Sequence, residues 1–477
     1  MKVLLLNPPF LPKFSRQSRS PCVTKGGTFY FPYFLSYCAG AVEKAGFETK
    51  LADAVADCWN KEQTVQFAKE FNPELIVIDT STPSIVNDME VADELKDALP
   101  NSHITLVGTH PTALPEETLK NCKADSVCRG EYDYTVRDLA IALKEQGQLK
   151  TVEGLSFKHN SKTIHNEKRE LIKNLDELPF VSEVFLKHFG KEGIKKYFYA
   201  SLRWPQTTLL TARGCPYSCF FCNSPLKHSY RPRSVENVIA ELEFIQKEMP
   251  FVKEIMFEDE TFPAVKDRTI KLCDEIAKRK IKLKWSCNAR VNTDLETLKS
   301  MKRAGCRLMC VGFEASEQEV LDSIDKKTTK DMQLEFMKNS RKAGILVNGC
   351  FIFGLPSDTK ETMRRTLEFA KQLNCDTSQF YPLMVYPGTA SYEWAKKNNF
   401  LETEDYSKWL TPDGQMTTTL SRPGMSRDEL LAFCDLARKE YYMRAGYIVP
   451  KVFQSIRNPQ EGLRTLKAAK TFFRHLK

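Results

Sequence analysis

The chain has 477 residues, of which 42% are hydrophobic and 27% charged, and its formal net charge is +9. These values are typical of a globular protein with room for two or three domains. The basic residues do not form patches interleaved with aromatic residues, so we expect no nucleic-acid partner.

The fifteen cysteines are spread along a long chain, which is not the pattern of a small disulfide-rich secreted protein. The first residues lack the apolar core and small-residue cleavage site of a signal peptide, and no stretch of 18 or more apolar residues is present. We therefore expect a cytoplasmic protein in a reducing compartment.

Residues 1–145 alternate between predicted strands and helices. The strands are Lys2–Leu6, Glu48–Ala52, Leu75–Ile78, Ile104–Val107 and Ser126–Cys128, and the helices are Tyr33–Ala45, Thr64–Phe71 and Asp88–Leu99. This alternation predicts an α/β domain with a doubly wound parallel sheet, similar to a Rossmann fold.

Ligands of such sheets bind beyond the carboxyl ends of the strands, and four loops at those ends carry small, polar, proline or glycine residues. We predict a binding site for a large flat ligand there. Its candidate residues are Asn7, Pro8, Thr80, Ser81, Gly108, Thr109, His110, Gly130 and Glu131.

Residues 146–205 are rich in lysine and irregular, and we interpret them as a linker with a small hairpin at Leu155–Phe157 and Thr163–His165.

A short apolar run at Thr207–Leu210 precedes the most informative motif of the chain. Cys215, Cys219 and Cys222 follow Gly214 with the spacing C-x3-C-x2-C, which can direct three thiolates to one small volume. Thiolates are soft ligands that suit an iron–sulfur cluster. Because an electron-transfer [4Fe–4S] cluster takes four cysteines, three would leave one iron open. A zinc knuckle or scattered buried cysteines are the alternatives, but no fourth Cys or His follows at knuckle spacing.

Residues 206–387 repeat the strand–helix alternation six times. The predicted strands are Thr207–Thr211, Glu254–Phe257, Lys284–Ser286, Leu308–Phe313, Leu346–Phe353 and Ser378–Val385. In folds built from parallel strand–helix units the chemistry lies at the carboxyl ends of the strands. Three acidic residues, Glu258, Asp259 and Glu260, follow the second strand there. Cys287, Cys306, Cys310 and Cys350, on or near these strands, are interpreted as small buried hydrophobic residues.

Residues 388–477 predict a helical C-terminal region with helices at Ala390–Asn398, Asp405–Leu410, Arg427–Met443 and Pro450–Leu476. The last of these, together with Lys477 directly after it, has seven basic residues and one acidic residue among apolar ones. This pattern indicates either a basic amphipathic helix on an anionic membrane or a helix packed on the barrel.

The cysteine motif and the six strand–helix units resemble the radical SAM superfamily, whose shared core is an open (βα)6 partial TIM barrel. The resemblance implies that a [4Fe–4S] cluster binds S-adenosylmethionine (SAM) through its open iron and cleaves it to a 5′-deoxyadenosyl radical. It also implies that Glu258 and Asp259 lie near the SAM amino group, that Asn288, Arg290 and Glu314 hold its ribose and carboxylate, and that Gly349 admits its adenine.

The first domain resembles the cobalamin-binding domain found before many radical SAM cores, with Gly108, Thr109 and His110 in a matching loop. A generic flavodoxin-like domain would have a similar pattern. The D-x-H-x-x-G motif that donates a histidine to cobalt in other cobalamin domains is missing, because Asn7-Pro8-Pro9 follows the first strand. We expect His110 to contact the edge of the corrin or simply to pack.

The whole chain resembles class B radical SAM enzymes and is similar to members associated with hopanoids and other lipids. The predicted domains are 1–145 for cobalamin, 146–205 as linker, 206–387 as radical SAM core and 388–477 as helical region. The resemblance implies methylation of an unactivated carbon of a small-molecule or lipid-linked substrate, with an electron donor of flavodoxin or ferredoxin type. Radical ring contraction or cyclisation is one alternative, and an iron–sulfur sensor or electron carrier is another. Peripheral contact with the inner face of the membrane is a further hypothesis.

Overall fold

The computed structural model describes residues 1–160, 162–457 and 462. Its first part is a seven-stranded sheet in the order β2-β1-β3-β4-β5-β6-β7, in which the first five strands are parallel and the last two antiparallel. The strands are β1 (Lys2–Asn7), β2 (Glu48–Asp53), β3 (Leu75–Thr80), β4 (His103–Gly108), β5 (Ser126–Cys128), β6 (Leu155–His159) and β7 (Lys162–His165). The predicted doubly wound sheet is thereby confirmed.

Helices cover both faces of this sheet. They are α1 (Tyr33–Lys44), α2 (Lys61–Phe71), α3 (Ile85–Ala98), α4 (Thr109–Ala113), α5 (Pro115–Lys120) and α6 (Asp133–Lys144), and α7 (Val181–Ile194) follows. Val3 and Leu5 of β1 belong to one apolar core, and Leu4 and Leu6 belong to another. Because alternate side chains of a strand point to opposite faces, this continuous apolar run has both faces buried.

The segment 146–205 is more ordered than a simple linker. The predicted hairpin is present as β6 and β7, and it extends the first sheet because β6 pairs with β5. Helix α7 follows, with Val181 and Phe185 in the large core that also contains the second sheet. The domain boundaries at 145 and 205 stay proposals.

The second part of the chain is a six-stranded parallel sheet with β8 and β15 at its edges, in the order β15-β14-β13-β12-β11-β8. Its strands are β8 (Gln206–Leu209), β11 (Glu254–Phe257), β12 (Lys284–Ala289), β13 (Cys306–Glu314), β14 (Leu346–Phe353) and β15 (Thr377–Pro382), and the short pair β9 (Ala212–Arg213) and β10 (Arg231–Pro232) lies between the first two. The helices are α8 (Val235–Glu248), α9 (Lys266–Lys278), α10 (Leu295–Arg303), α11 (Gln318–Ser323), α12 (Lys330–Ala343) and α13 (Lys360–Leu373). This is the predicted open barrel of six units, with α11 as an additional short helix.

The C-terminal region contains α14 (Ala390–Lys397), α15 (Arg427–Tyr442) and α16 (Ala445–Arg457). The helix predicted at 405–410 is wrong, because only a single 3-10 turn forms at Tyr406–Lys408. The sequence Pro412-Asp413-Gly414 follows at once and favours a turn over a longer helix. Helix α16 begins before Pro450, and the rest of the predicted last helix lies outside the described residues, Gly462 excepted. No helix in the described ranges is long and apolar enough to cross a bilayer.

The C-terminal edges of the two sheets lie against each other. Arg213, at the end of β9, contacts Glu131 after β5, and Arg19, from the loop between β1 and α1, contacts Glu258 after β11. The C-terminal region covers the same edge of the first sheet, where Tyr406 packs against His110. The two predicted ligand sites therefore open toward each other.

Candidate active site between the two sheets

The cysteine motif forms the loop between β9 and β10. Gly214 begins this loop with a φ of +85°, and a Cβ at this position would lie 1.5 Å from the carbonyl oxygen of Ser229. Only glycine fits such a close backbone approach. Cys215, Cys219 and Cys222 are free thiols, and all three are partly exposed.

The loop is fastened on two sides. Glu260 accepts hydrogen bonds from the Gly214 amide (3.2 Å) and from the Ser224 hydroxyl (3.3 Å), on either side of the three cysteines. On the other side, the Phe220 amide donates to the carbonyl of Ile324, and the guanidinium of Arg290 lies 3.5 Å from Cys219 Sγ. These contacts fix the loop independently of its ligand.

The chemistry of the donors fits an iron–sulfur cluster. Burial, together with the nearby Cys222 and Cys219, raises the pKa of Cys215 to about 11, so the three thiols lie close enough to influence one another. Iron binding would displace their protons. Within the described ranges, no three His, Cys, Asp or Glu side chains are arranged around a single metal ion. Three cysteines that each bind a different iron of a cluster do not need such an arrangement.

The three acidic residues after β11 have different surroundings. Asp259 accepts from the amide (2.6 Å) and hydroxyl (2.5 Å) of Thr211 and therefore joins the ends of β11 and β8. Asn288 also contacts this turn, because its amide donates to the Asp259 carbonyl (2.9 Å). Glu258 lies on the inner face of the barrel and accepts from Arg19 at 2.6 Å. Burial raises the pKa of Glu258 to about 7, although Arg19 lowers it. Glu258 and Asp259 were both predicted to lie near the SAM amino group. Of these two, Glu258 is the one with its carboxylate toward the barrel interior.

The remaining predicted SAM residues are placed unequally. Arg290 lies over the ring of Tyr217, 3.8 Å from its centre, beside the cysteine loop. Glu314 has a φ of +64° and accepts a hydrogen bond from buried Lys326 (2.6 Å). A Cβ at Gly349 would meet Cys375 Sγ at 2.9 Å, so protein packing alone requires glycine there. Its predicted adenine contact stays a prediction.

The burial of the barrel cysteines depends on which face of the strand they lie on. Cys287 and Cys306 are buried in the large core, as predicted. Cys310 and Cys350 are only half-buried and lie on the inner face of β13 and β14, together with half-buried Tyr381 of β15. These inner-face side chains therefore keep some solvent exposure that the core cysteines lack.

At the first sheet, the predicted loops meet at one edge, but most of their side chains already have protein partners. Asn7 donates to Asp53 (2.8 Å) and accepts from Arg16 (2.7 Å), and Arg16 forms a buried ion pair with Asp88 (2.6 Å). Of the remaining candidates, Pro8 is buried and Thr109 is half-buried. This hydrogen-bonded network lies at the strand ends, so it forms one side of the predicted ligand site.

The candidates Thr80, Ser81 and Gly108 shape this edge. Thr80 donates to the carbonyl of Val107 (2.7 Å), and a Cβ on Gly108 would lie 2.2 Å from the carbonyl oxygen of Thr80. The Ser81 hydroxyl contacts that of Ser84 (2.9 Å). Glycine at 108 therefore lets β3 and β4 end side by side.

His110 is buried and packs rather than projecting freely from the edge. Its Nδ1 lies 3.3 Å from the Thr82 hydroxyl, its Nε2 3.9 Å from a carboxylate oxygen of Glu117, and its ring packs on the Tyr406 ring. Burial lowers the pKa of His110 to about 3, so the ring is neutral at physiological pH.

Space and unsatisfied polar groups at this edge fit a cobalamin. A Cβ on Gly130 would meet nothing within 4 Å, so the space beside it is open. The buried Tyr386 hydroxyl, just before the C-terminal region, and the Trp409 indole nitrogen, within that region, have no hydrogen-bond partner among the described residues. The amide groups around a corrin could accept from such donors.

Glu131, predicted to contact the ligand, is instead engaged in ion pairs. It binds Arg213 (3.0 Å) and Arg231 (2.8 Å), and both arginines flank the cysteine loop. Arg213, Arg19 and Lys326 were missed from the sequence. The signal that could have found one of them is the arginine at position 213, immediately before Gly214-Cys215.

Comparisons with known proteins agree with this site. Residues 209–370 match the family profile of the Radical SAM superfamily, and residues 20–140 match that of the B12 binding domain. The chain is 32% identical over 460 residues to "Uncharacterized methyltransferase PH0819" of Pyrococcus horikoshii, covering 95% of each chain. The chain belongs to the class B radical SAM enzymes.

Two further proteins are similar to this chain over most of its length. An anaerobic magnesium-protoporphyrin IX monomethyl ester cyclase from Cereibacter sphaeroides is 27% identical, over 87% of this chain and 67% of its own. The solved structure of the methyltransferase TsrM from Kitasatospora setae, with cobalamin and a [4Fe–4S] cluster bound, superposes with a TM-score of 0.70 at 16% identity, covering 92% of this chain and 88% of that one. As a class B radical SAM enzyme, the protein uses a [4Fe–4S] cluster, SAM and cobalamin.

Proposed function

We propose that this class B radical SAM enzyme methylates an unactivated carbon of a small-molecule substrate. The observation that carries the proposal is the direct contact between the two predicted cofactor edges, through Arg213 and Glu131 and through Arg19 and Glu258. Cluster and SAM together supply a hydrogen-abstracting radical, and cobalamin supplies the methyl group. Opposed sites in one chamber allow both to act on one bound substrate.

The residues have distinct proposed roles. Cys215, Cys219 and Cys222 hold the cluster, and Glu258 faces the SAM amino group. Arg290 is proposed to act near SAM because it lies beside the cysteine loop. We assign a supporting role to Asp259, since its carboxylate is already bound to Thr211.

The predicted ribose contact of Asn288 and carboxylate contact of Glu314 are kept as proposals. Asn288 is half-buried on the inner face of β12, which leaves it accessible from the barrel interior. Glu314 would meet SAM together with Lys326, because the two are paired.

The barrel interior favours an uncharged substrate portion. Its half-buried side chains include two thiols, Cys310 and Cys350, and the neutral side chains of Gln379 and Tyr381. The charged groups nearby are paired with each other, Arg19 with Glu258 and Lys326 with Glu314. We therefore propose that the carbon to be methylated belongs to an apolar or aromatic part of the substrate.

Radical cyclisation is the second candidate function, because a relative that is 27% identical is named a cyclase. Isotope labelling separates the two functions. With SAM deuterated on its methyl group, methylation should add one CD3 unit to the product and form deoxyadenosine and S-adenosylhomocysteine in equal amounts. Cyclisation should yield deoxyadenosine with neither a methyl gain nor S-adenosylhomocysteine. The Cys219→Ala variant is the background control, since it removes a proposed cluster ligand.

A lipid-linked substrate remains part of the proposal because of α16. Five apolar residues of this helix are exposed: Ile448, Val449, Val452, Phe453 and Ile456. Their spacing forms one stripe, and six further basic residues are found from position 457 to the end of the sequence. The other basic residue of this segment, Lys451, pairs with Asp376 (3.0 Å) and so does not add to the stripe.

A further inference from the structure

The loop between β1 and α1, residues 8–32, connects the two halves of the site through two arginines three positions apart. Arg16 points back to the first sheet, where it binds Asp88 and Asn7. Arg19 points the other way and reaches the barrel. The D-x-H-x-x-G motif would fall in this loop, and this chain has Asn7-Pro8-Pro9 there instead.

Arg19 contacts the residues after β11 through three oxygen atoms. Its Nη2 donates to the Glu258 carboxylate (2.6 Å) and to the Glu258 carbonyl (2.7 Å), and its Nη1 lies 3.4 Å from the Asp259 carbonyl. The Glu258 side chain is 4% exposed and that of Arg19 is 38% exposed. Arg19 therefore keeps part of its side chain exposed, while the buried Glu258 carboxylate has Arg19 as an ion-pair partner.

The position of Arg19 is itself fixed by the loop. The Gln17 side chain donates to the Phe31 carbonyl (2.7 Å), and the Tyr30 amide donates to the Ser15 hydroxyl (3.0 Å), so the turn is held at both ends. The buried pair of Arg16 with Asp88 anchors it to the first sheet. Because the loop fixes the position of the Arg19 guanidinium, this group can set the orientation of the carboxylate that it binds.

We propose that Arg19 is a positioning residue for SAM: from the cobalamin-binding half, it holds the Glu258 carboxylate in the orientation and charge state needed to bind the SAM ammonium group. This inference rests on the proposed contact between Glu258 and SAM. It adds a residue of the first domain to the radical SAM site.

The electrostatics around Glu258 give the proposal a measurable consequence. Burial raises the pKa of Glu258 to about 7, and Arg19 is the largest influence that lowers it. The groups that face Glu258 are Arg19, Asp259, Glu260, Asn288, Tyr30, Tyr33, Tyr199 and Cys310. Because Arg19 is the cation among them, its removal should favour the protonated carboxyl, which cannot pair with an ammonium group.

The test is SAM binding to anaerobically reconstituted holoenzyme without reductant, so that no turnover occurs, measured by equilibrium dialysis from pH 6 to 9. In Arg19→Gln, the pH midpoint for SAM binding should rise by at least about one unit, with about a tenfold weaker affinity at pH 7 and recovery toward pH 9. Arg19→Lys, which keeps the charge, should shift the midpoint less. Lys25→Gln is the matched control, because Lys25 is in the same loop but pairs with Asp435 at the surface.

Glu258→Gln separates this inference from the function on which it rests. It should weaken SAM binding most toward pH 9, where the native carboxylate is charged, and remove the pH midpoint, and adding Arg19→Gln to it should cause no further pH shift. If Glu258→Gln binds SAM normally, the proposed contact and the inference both fail. If Glu258→Gln weakens binding while Arg19→Gln and Arg19→Lys keep the wild-type pH profile, or lose affinity equally at every pH, only the role of Arg19 is overturned.

Discussion

Replacing Arg213 with methionine tests whether the ion pairs between the two halves hold the cysteine loop in place. Arg213 is 1% exposed and donates to Glu131 (3.0 Å) and twice to Asp133 (2.7 and 3.0 Å). Methionine fills much of the same volume but removes the charge. Glu131 would keep Arg231 (2.8 Å), whereas Asp133 would lose both of these hydrogen bonds and its partner cation.

The expected loss follows from that asymmetry. Leaving a buried charge without its partner typically costs about 3–5 kcal/mol of folding free energy. We expect Arg213→Met to destabilise the protein by this amount in chemical denaturation followed by circular dichroism. Adding Asp133→Asn, which removes the orphaned charge, should recover a large part of the loss.

The pH dependence of the loss provides a second check. In the native protein burial raises the pKa of Glu131, but Arg213 and Arg231 lower it more, so it lies below its usual range. A carboxylate of this kind contributes stability above its unfolded pKa, and that contribution is lost as the pH falls through the folded pKa. In Arg213→Met, Glu131 loses one of the two cations that lower its pKa, so less of this contribution remains, and the gap between variant and native protein should narrow as the pH falls below about 5 through the folded pKa of Glu131.

A surface ion pair is the control for this experiment. Arg303 and Asp274 lie 3.3 Å apart with both side chains more than half exposed, and exposed pairs contribute little to stability. Arg303→Met should therefore change the denaturation midpoint much less. A loss below about 1 kcal/mol in Arg213→Met, or no recovery with Asp133→Asn, would refute the reasoning, since the buried pair would then not carry the expected energy.

Three further predictions concern the cofactors and the C-terminal helix. Cys219→Ala should lose iron and abolish deoxyadenosine formation from SAM and dithionite, whereas Cys287→Ala, in the buried core, should keep both; full turnover with intact cluster absorbance in Cys219→Ala would contradict the ligand assignment. Because both ring nitrogens of His110 face protein groups, His110 should contribute no nitrogen superhyperfine splitting to the EPR spectrum of the cob(II)alamin form, and a triplet that disappears in His110→Ala would disprove this. Co-sedimentation with anionic vesicles should weaken as salt rises and fall in Phe453→Glu; salt-insensitive binding, or none in the native protein, would count against the membrane hypothesis.

Much of the fold could be predicted from local patterns. Apolar runs such as Leu75–Ile78 and Leu346–Phe353 predicted strands. A strand buried on both faces needs a continuous apolar run, and a strand buried on one face needs alternating apolar residues. The helix at Leu295–Arg303 was predicted with its exact bounds, and Asp294 caps it through the Thr297 amide. The failure at 405–410 has a local cause as well, since the turn sequence after it ends the helix within one turn.

Partners of the site residues could not be predicted in the same way. Glu131 and Asp259 follow strand ends, where the pattern indicates ligand binding, yet their carboxylates are bound to Arg213 and Thr211. Gly349 lies in the fifth strand of the barrel, where the resemblance implied an adenine contact. The protein side chains packed around it already explain why the position has no Cβ. A strand end has the same sequence signature whether its side chain meets a ligand or another strand end.

The sequence by itself determined the cysteine motif, the two runs of strands and helices, and with them the cofactors of this enzyme. These features depend on residue type and on spacing along the chain, which are local. The tertiary structure alone decided that Arg19 reaches Glu258, that Arg213 joins the cysteine loop to the first sheet, and that Tyr406 covers His110. Those contacts join residues 239, 82 and 296 positions apart. They depend on how two separately folded sheets meet, and no local pattern records the direction in which an arginine points.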